Sequence, residues 1–270
     1  MNDETNHIVL AGDWHGNVRW MQRALQRIRG AGHRKILHVG DLRVLWPESV
    51  DGPLSPAEAE LIPGARDYDA FTVTLCKLLE QYGMDMLFVD GNHDNHPALR
   101  ALPRDEDGFG IISDRLKYIP RGHRFSIGGV RFAGLGGAFS INKQYLTQGL
   151  NWWPEEVLTR DDIDTLGSGP VDVLLTHDVP AGIDLRKMFR LPEALERESH
   201  AGRILLRDAV RSTDPSLVFS GHWHQRTTQV IPGSRTTVHV LDMDGRGGNF
   251  AVLDLESLQV SELGNLPRIA

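Results

Sequence analysis

One cysteine stands among the 270 residues, Cys76, so the chain can hold no intramolecular disulfide. Its neighbours Phe71, Leu75, Leu78, Leu79 and Tyr82 recur at helical spacing, which makes Cys76 a small buried residue without a catalytic part. Apolar runs long enough to span a bilayer are absent. The acidic, polar start Met1-Asn2-Asp3-Glu4-Thr5-Asn6 lacks the basic-then-apolar order of a secretory signal, so the expectation is a cytoplasmic protein with no membrane partner. A net charge of −7 opposes a broad, nonspecific footprint on a phosphate backbone, though a local basic groove remains compatible with it. Internal repeats and low-complexity stretches are missing too. With 40% hydrophobic residues, one large α/β domain over residues 1–270 is expected.

What the chain does have is an ordered series of short blocks: Gly12-Asp13-Trp14-His15-Gly16, Gly40-Asp41, Gly91-Asn92-His93-Asp94, Thr176-His177 and Gly221-His222-Trp223-His224. Any one of them alone reads as a turn, because Asp and Asn serve turns and histidines are scattered through the chain. The series differs because every block follows an apolar run of strand type: Ile8–Ala11, Ile36–Val39, Met86–Val89, Val171–Leu175 and Leu217–Ser220. Ligands of open α/β sheets collect outside the carboxyl ends of strands, so these side chains are expected to converge.

In that order the blocks resemble the calcineurin-like metallophosphoesterases, whose pattern is Asp-x-His, Gly-Asp, Gly-Asn-His-(Asp/Glu), His and Gly-His-x-His; the match runs from Asp13 to His224. Two further stretches, Gly136-Gly137-Ala138-Phe139-Ser140 and Trp152-Trp153-Pro154-Glu155-Glu156, look like features of small single-domain bacterial and phage members. The resemblance implies a four-layer α/β/β/α sandwich of two mixed sheets and a pair of divalent metal ions. Asp13, His15, Asp41 and His224 would surround one ion, and Asp41, Asn92, His177 and His222 the other, with Asp41 shared. A nitrogen and oxygen donor set without thiolate suits Mn²⁺, Fe, Zn²⁺, Co²⁺ or Ni²⁺ and does not choose among them; Mn²⁺ is the metal expected. The implied reaction is hydrolysis of a phosphate monoester or diester by a metal-bridging hydroxide, with His93 assisting the leaving group and a carboxylate orienting its second nitrogen. Asp94 would be that carboxylate or, the preferred reading, a cap for the segment starting at Asn95.

Between the blocks, Asn17 caps a helix reaching Arg29, with Trp20, Met21, Ala24, Leu25 and Ile28 on its inner face. Residues 42–66, with three prolines and two glycines, read as an inserted loop holding a short helix near 56–60. It is either a lid or substrate loop, or a subunit contact or surface excursion. Helices are expected at 67–82, from Pro154, and at 201–212. Residues 117–134 read as a hairpin-rich region turned at Gly128-Gly129, and 236–241 and 250–253 as antiparallel strands closing a second sheet.

Phosphoprotein phosphatases of the superfamily continue the second block as Gly-Asp-x-x-Asp-Arg-Gly. Here it reads Gly40-Asp41-Leu42-Arg43-Val44-Leu45-Trp46, which counts against a protein serine/threonine phosphatase. Arg43, Arg186 and Lys187 are the substitutes for gripping phosphate. Trp14 and Trp223 either support the ligand loops, the favoured reading, or stack a nucleobase. The substrate partner is a phosphate ester, with nucleotide or nucleic acid among the candidates. The enzyme alternatives are a single-strand nuclease and a cyclic-nucleotide phosphodiesterase. A non-catalytic protein-binding scaffold is disfavoured because all seven ligand positions and His93 are retained.

Overall fold

Along the first strand Ile8 and Leu10 face one way and Val9 and Ala11 the other, and all four are buried. A strand buried on both faces belongs inside a layered α/β fold. The computed structural model describes residues 6–46, 69–186 and 190–263. Its first sheet runs, edge to edge, β13 (Val260–Ser261), β12 (Phe250–Asp254), β1 (His7–Ala11), β2 (Lys35–His38), β3 (Asp85–Phe88), β5 (Leu116–Tyr118) and β4 (Gly110–Ser113). The second runs β10 (Thr227–Val230), β11 (Thr237–Val240), β9 (Leu217–Ser220), β8 (Val173–Thr176), β7 (Val130–Leu135) and β6 (Arg124–Ile127). Both are mixed: β1, β2, β3 and β5 run parallel, as do β7, β8, β9 and β11, and antiparallel strands flank them.

Three apolar layers hold four layers of structure together. Helices α1 (Val18–Gly30) and α2 (Ala70–Tyr82) cover the outer face of the first sheet, packing Met21, Leu25, Ile28, Phe71 and Leu75 against Val9 and Ile36. Ile8, Leu10, Leu37, Val173, Leu175 and Phe219 interlock between the sheets. Helices α4 (Arg160–Leu166) and α5 (Glu193–Thr213) close the far side, through Ile163, Leu206 and Val210 against Leu174 and Val218. This is the expected α/β/β/α sandwich. At roughly 1.5–3 kcal/mol for each fully buried large aliphatic side chain, these layers are the main stabilising contribution.

Asn17 caps α1 by accepting the Trp20 N–H at 3.0 Å, as expected. Cys76 is buried in α2, and burial pushes its thiol up to about 11. Gly128 and Gly129 turn the β6–β7 hairpin with positive φ at both positions, a conformation that costs L side chains steric strain. The short helix expected near 56–60 and the start of the 67–82 helix lie outside the described residues. The front of the proposed insertion does not: Leu42, Val44 and Leu45 are buried in the first core layer.

Four expectations need correction. The 117–134 region is split: β5 pairs in the first sheet, while β6 and β7 form a hairpin in the second. The tail strands likewise part company, β11 lying parallel to β9 in the second sheet and β12 antiparallel to β1 in the first. Pro154–Glu156 is a single 3₁₀ turn, and the helix starts later, at a capping box formed by Thr159 and Asp162. Finally, α5 begins eight residues before the expected 201, since its first two turns carry polar side chains that face solvent and a cleft and so show no apolar period.

Candidate metal centre

The parallel strands β1, β2, β3, β8 and β9 all end on one side of the sandwich, and their following loops carry Asp13, Asp41, Asn92, His177 and His222. Asp13, Asp41, Asn92 and His177 are buried. The backbone of these loops is unusual: His15, Asp41, His222 and His224 all have positive φ, between 47° and 63°. Non-glycine residues adopt that region rarely and at a cost, and such strain gathers at functional sites. Gly91 meets a different demand, because a Cβ there would fall onto the Asp41 carboxylate.

All seven proposed ligands are brought together, in two overlapping groups. His224 Nε2 lies 3.2 Å from Asp13 Oδ2, and His15 Nε2 lies 3.5 Å from Asp41 Oδ2. On the other side His177 Nε2 lies 3.3 Å from Asp41 Oδ1 and 3.1 Å from Asn92 Oδ1. The two oxygens of Asp41 thus face opposite halves of the site. The His222 ring sits 5.2 Å from that of His177, and His224 sits 5.0 Å from His15. Among the described residues, Asp13, His15 and His224 form one set able to hold an ion, and Asp13, Asp41 and His177 another. Asp13 therefore reaches both halves, where the resemblance gave it only one.

Hydrogen bonds fix which ring nitrogen faces inward. His177 Nδ1 donates to the Val39 carbonyl at 2.8 Å, and His15 Nδ1 donates to Asp244 Oδ1 at 3.0 Å. With Nδ1 donating outward, each Nε2 faces the carboxylate oxygens opposite, carrying a proton while the ring is an imidazolium and a lone pair once that proton is lost. Nitrogen and oxygen atoms thus converge on a place for a cation, which in the metal-free protein is a proton. The electrostatics agree: burial works to lower the pKa of His177, yet Asp41 and Asp13 raise it to about 10. Burial likewise opposes protonation of His15, and Asp41, Asp13 and Asp244 raise it to about 9. Burial would raise Asp41, but His177, His93 and His15 hold it well below the usual carboxylate range. Burial drives His222 the other way, down to about 4, leaving it a neutral donor.

His93 is partly exposed at the rim, its backbone N–H donating to Asp41 Oδ1 at 2.7 Å. Among the described residues no carboxylate hydrogen-bonds to its ring, so the expected orienting partner is not found. Asp94 faces away and is neither partner nor helix cap. It accepts the backbone N–H groups of Gly91 and Arg43, tying two ligand loops together, while Asn95 caps the short helix α3 (His96–Arg100). Trp14 is fully buried and donates to Asn249, the supporting reading. Trp223 donates to Asp178 at 2.8 Å, carries the Arg203 guanidinium over its ring, and still lines the cleft.

That cleft, ≈ 680 Å³, opens beside Asp41, Asn92, His93 and His222 and is walled opposite by the first half of α5. Arg186 lines it; Arg43 does not, its guanidinium stacking on Trp46 instead, and Lys187 lies outside the described residues. Asp244 and the α5 wall were not anticipated. Asp244 follows a strand in a Met-Asp-Gly sequence that any turn could carry, so only its position 229 residues from His15 gives it meaning.

Comparison with known proteins agrees with this fold. A model of the calcineurin-like phosphoesterase family matches residues 7–226. The chain belongs to the calcineurin-like phosphoesterases. This calcineurin-like phosphoesterase is 26% identical over 161 residues to a lariat debranching enzyme of Schizosaccharomyces pombe, covering 54% of this chain and 34% of the relative. It is 24% identical over 140 residues to that of Caenorhabditis elegans, covering 44% and 27%. The match thus spans between about a quarter and a third of the length of these curated relatives. In fold it is similar to a protein of Thermus thermophilus, with a TM-score of 0.54, 15% identity and coverage of 96% and 99%. A dimetal phosphatase from Danio rerio gives a TM-score of 0.52, 13% identity and coverage of 92% of each chain. No helix among the described residues is long and apolar enough to cross a membrane.

Proposed function

We propose that residues 1–270 form one phosphoesterase domain whose Asp13, His15, Asp41, Asn92, His177, His222 and His224 hold two divalent metal ions, Mn²⁺ foremost, for hydrolysis of phosphate mono- or diesters. The observation that carries this is the convergence of donor atoms: two histidine Nε2 atoms, held by Nδ1 donation, point at buried carboxylate oxygens of Asp41 3.3 and 3.5 Å away. Such a cluster of nitrogen and oxygen donors is what a divalent cation pair requires. Bound there, the ions supply charge neutralisation at the phosphoryl oxygens and acidify a water to serve as nucleophile.

The chain's own residues do the rest. Asp41 offers one oxygen to each half, and its charge keeps both histidine rings in place. His93, at the rim with a partly exposed ring, is positioned to hand a proton to the departing oxygen. Arg186 is the described cation on the cleft wall nearest the role of phosphate grip among the three weighed from sequence.

A phosphodiester in nucleic acid is the second reading. It is favoured by the debranching enzymes among the relatives and by Trp223, whose partly exposed indole lines the cleft. The test uses metal-stripped protein titrated with Mn²⁺ against bis(p-nitrophenyl) phosphate and p-nitrophenyl phosphate. Metal-restored cleavage that disappears in Asp41→Asn supports the assignment, and diester preference supports the second reading. Unchanged hydrolysis by Asp41→Asn overturns the bridging role, and absence of cleavage with every metal tried returns the scaffold.

A further inference from the structure

Asn92 differs from the other six candidates in having a side chain with two unlike ends. Only its Oδ1 can meet a cation; turned by 180°, it would aim an N–H₂ group into the site. Something must hold it the right way round.

The two sequence stretches left without a role, Gly136–Ser140 and Trp152–Glu156, meet behind Asn92. Asn92 Nδ2 lies 3.0 Å from Ser140 Oγ. Ser140 Oγ lies 2.6 Å from Glu156 Oε2, and the Ser140 backbone N–H donates to Glu156 Oε1 at 2.8 Å. All three side chains are buried, Glu156 completely. The direction of the chain follows from proton counting. The Glu156 carboxylate accepts, so the single hydroxyl proton of Ser140 points at it, and the 2.6 Å separation is that of a charge-assisted bond. The Ser140 oxygen then presents only lone pairs to Asn92, which must answer with Nδ2. Its Oδ1 is thereby turned toward His177 Nε2, 3.1 Å away.

Glu156 is itself fixed from behind. Arg121 donates to the main-chain carbonyls of Glu155, Glu156 and Val157, at 3.0, 3.1 and 3.0 Å. The same guanidinium grips Asp90 at 2.9 and 2.6 Å, two residues before Asn92. Gly137 N–H donates to the Asp90 carbonyl at 2.7 Å, which joins the Gly136–Ser140 stretch to the same segment. The circuit closes on itself: Asn92, Ser140, Glu156, Arg121, Asp90 and back.

We propose that Glu156, acting through Ser140, is a positioning residue that sets the Asn92 amide with its carbonyl oxygen toward the metal cluster. This rests on the assignment of Asn92 as a ligand. Glu156→Gln changes the circuit without changing its shape. A glutamine whose Oε1 keeps the Ser140 N–H donates Nε2–H to Ser140 Oγ, so the hydroxyl proton turns to Asn92 and favours the wrong amide orientation. Ser140→Ala removes the acceptor altogether.

The experiment is calorimetric titration of Mn²⁺ into metal-free protein, with thermal melts of each metal-free variant alongside. Ser140→Ala and Glu156→Gln are expected to weaken one of the two sites by about 10–100-fold, the size of effect seen for groups that orient metal ligands. In an Asn92→Asp background both ends of the side chain are oxygen, so orientation ceases to matter. There the same two substitutions are expected to change affinity by no more than about twofold, on the same scale. Equal losses in both backgrounds would mean general disruption and overturn the proposal, as would wild-type affinity in both single variants. Asn92→Ala separates the levels: if it leaves both sites intact, Asn92 is no ligand and the site assignment fails; if it loses one while Ser140→Ala loses none, only the positioning role fails. Should Ser140→Ala not fold, the isosteric Glu156→Gln decides.

Discussion

His177 reaches from the second sheet to the first: its Nδ1 donates to the Val39 carbonyl at 2.8 Å, on the loop that carries Asp41. One hydrogen bond thus turns the ring's Nε2 inward and ties the ends of β8 and β2 at the proposed metal cluster. Replacing His177 by Ala removes a proposed ligand and leaves a buried carbonyl without its donor. The metal content of the purified protein, measured by plasma emission, is expected to fall from two ions per chain toward one. Turnover is expected to drop on the order of 10²–10³-fold, as when a charge-stabilising group is lost from a preorganised site. Two ions per chain in the variant would contradict the assignment.

Asp244 holds the Nδ1 of His15 at 3.0 Å and is itself held by Asn17 Nδ2 at 2.6 Å. Asp244→Ala frees the His15 ring to rotate while removing no ligand. Affinity for one metal ion is expected to fall about 10–100-fold with little change in thermal stability. Titration of the metal-free variant checks this, and unchanged affinity would show that His15 needs no support.

Protons and metal compete for the same lone pairs. His177 and His15 have folded-state values near 10 and 9, above the ordinary 6.5, because Asp41 and Asp13 outweigh the effect of burial. In metal-free protein their stabilising contribution is complete below pH 6.5 and fades as pH rises through 9 and 10. Metal must displace those protons, so Mn²⁺ affinity is expected to rise with pH between 6.5 and 9, with net proton release. Calorimetry in buffers of different ionisation enthalpy counts the protons. Affinity flat across that window would count against the arrangement.

Arg121 and Asp90 form a buried ion pair reinforced by His96, at 3.2 Å, and by the Tyr118 hydroxyl, at 2.9 Å. Burial alone would raise the Asp90 pKa, but the Arg121 charge and His96 keep it well below the usual carboxylate range. Arg121→Met preserves much of the volume and strands the carboxylate. Unfolding free energy from urea titration is expected to fall by about 3–5 kcal/mol, the cost of a buried charge left without its partner. A loss below about 1 kcal/mol would place the pair with the weak surface kind.

Much of this was legible in the chain alone. Apolar runs such as Ile8–Ala11 and Leu217–Ser220, each followed by a metal-type residue, marked both the strand positions and the side of the sheet on which ligands gather. They do so because a buried strand needs apolar side chains on both faces and its polar functional groups can stand only where it ends. Asn17 was readable as a cap and Gly128-Gly129 as a turn for the same local reason.

The tertiary structure decided what local pattern cannot encode. Period-two alternation says that β11 and β12 are strands but not that one lies beside β9 and the other beside β1. Pairing depends on which edge is open once the rest of the chain has packed. Asp244, Ser140 and Glu156 owe their roles to partners 229, 48 and 16 residues away. A carboxylate's meaning in a folded protein is set by what it faces after burial, and sequence holds the carboxylate without its neighbour.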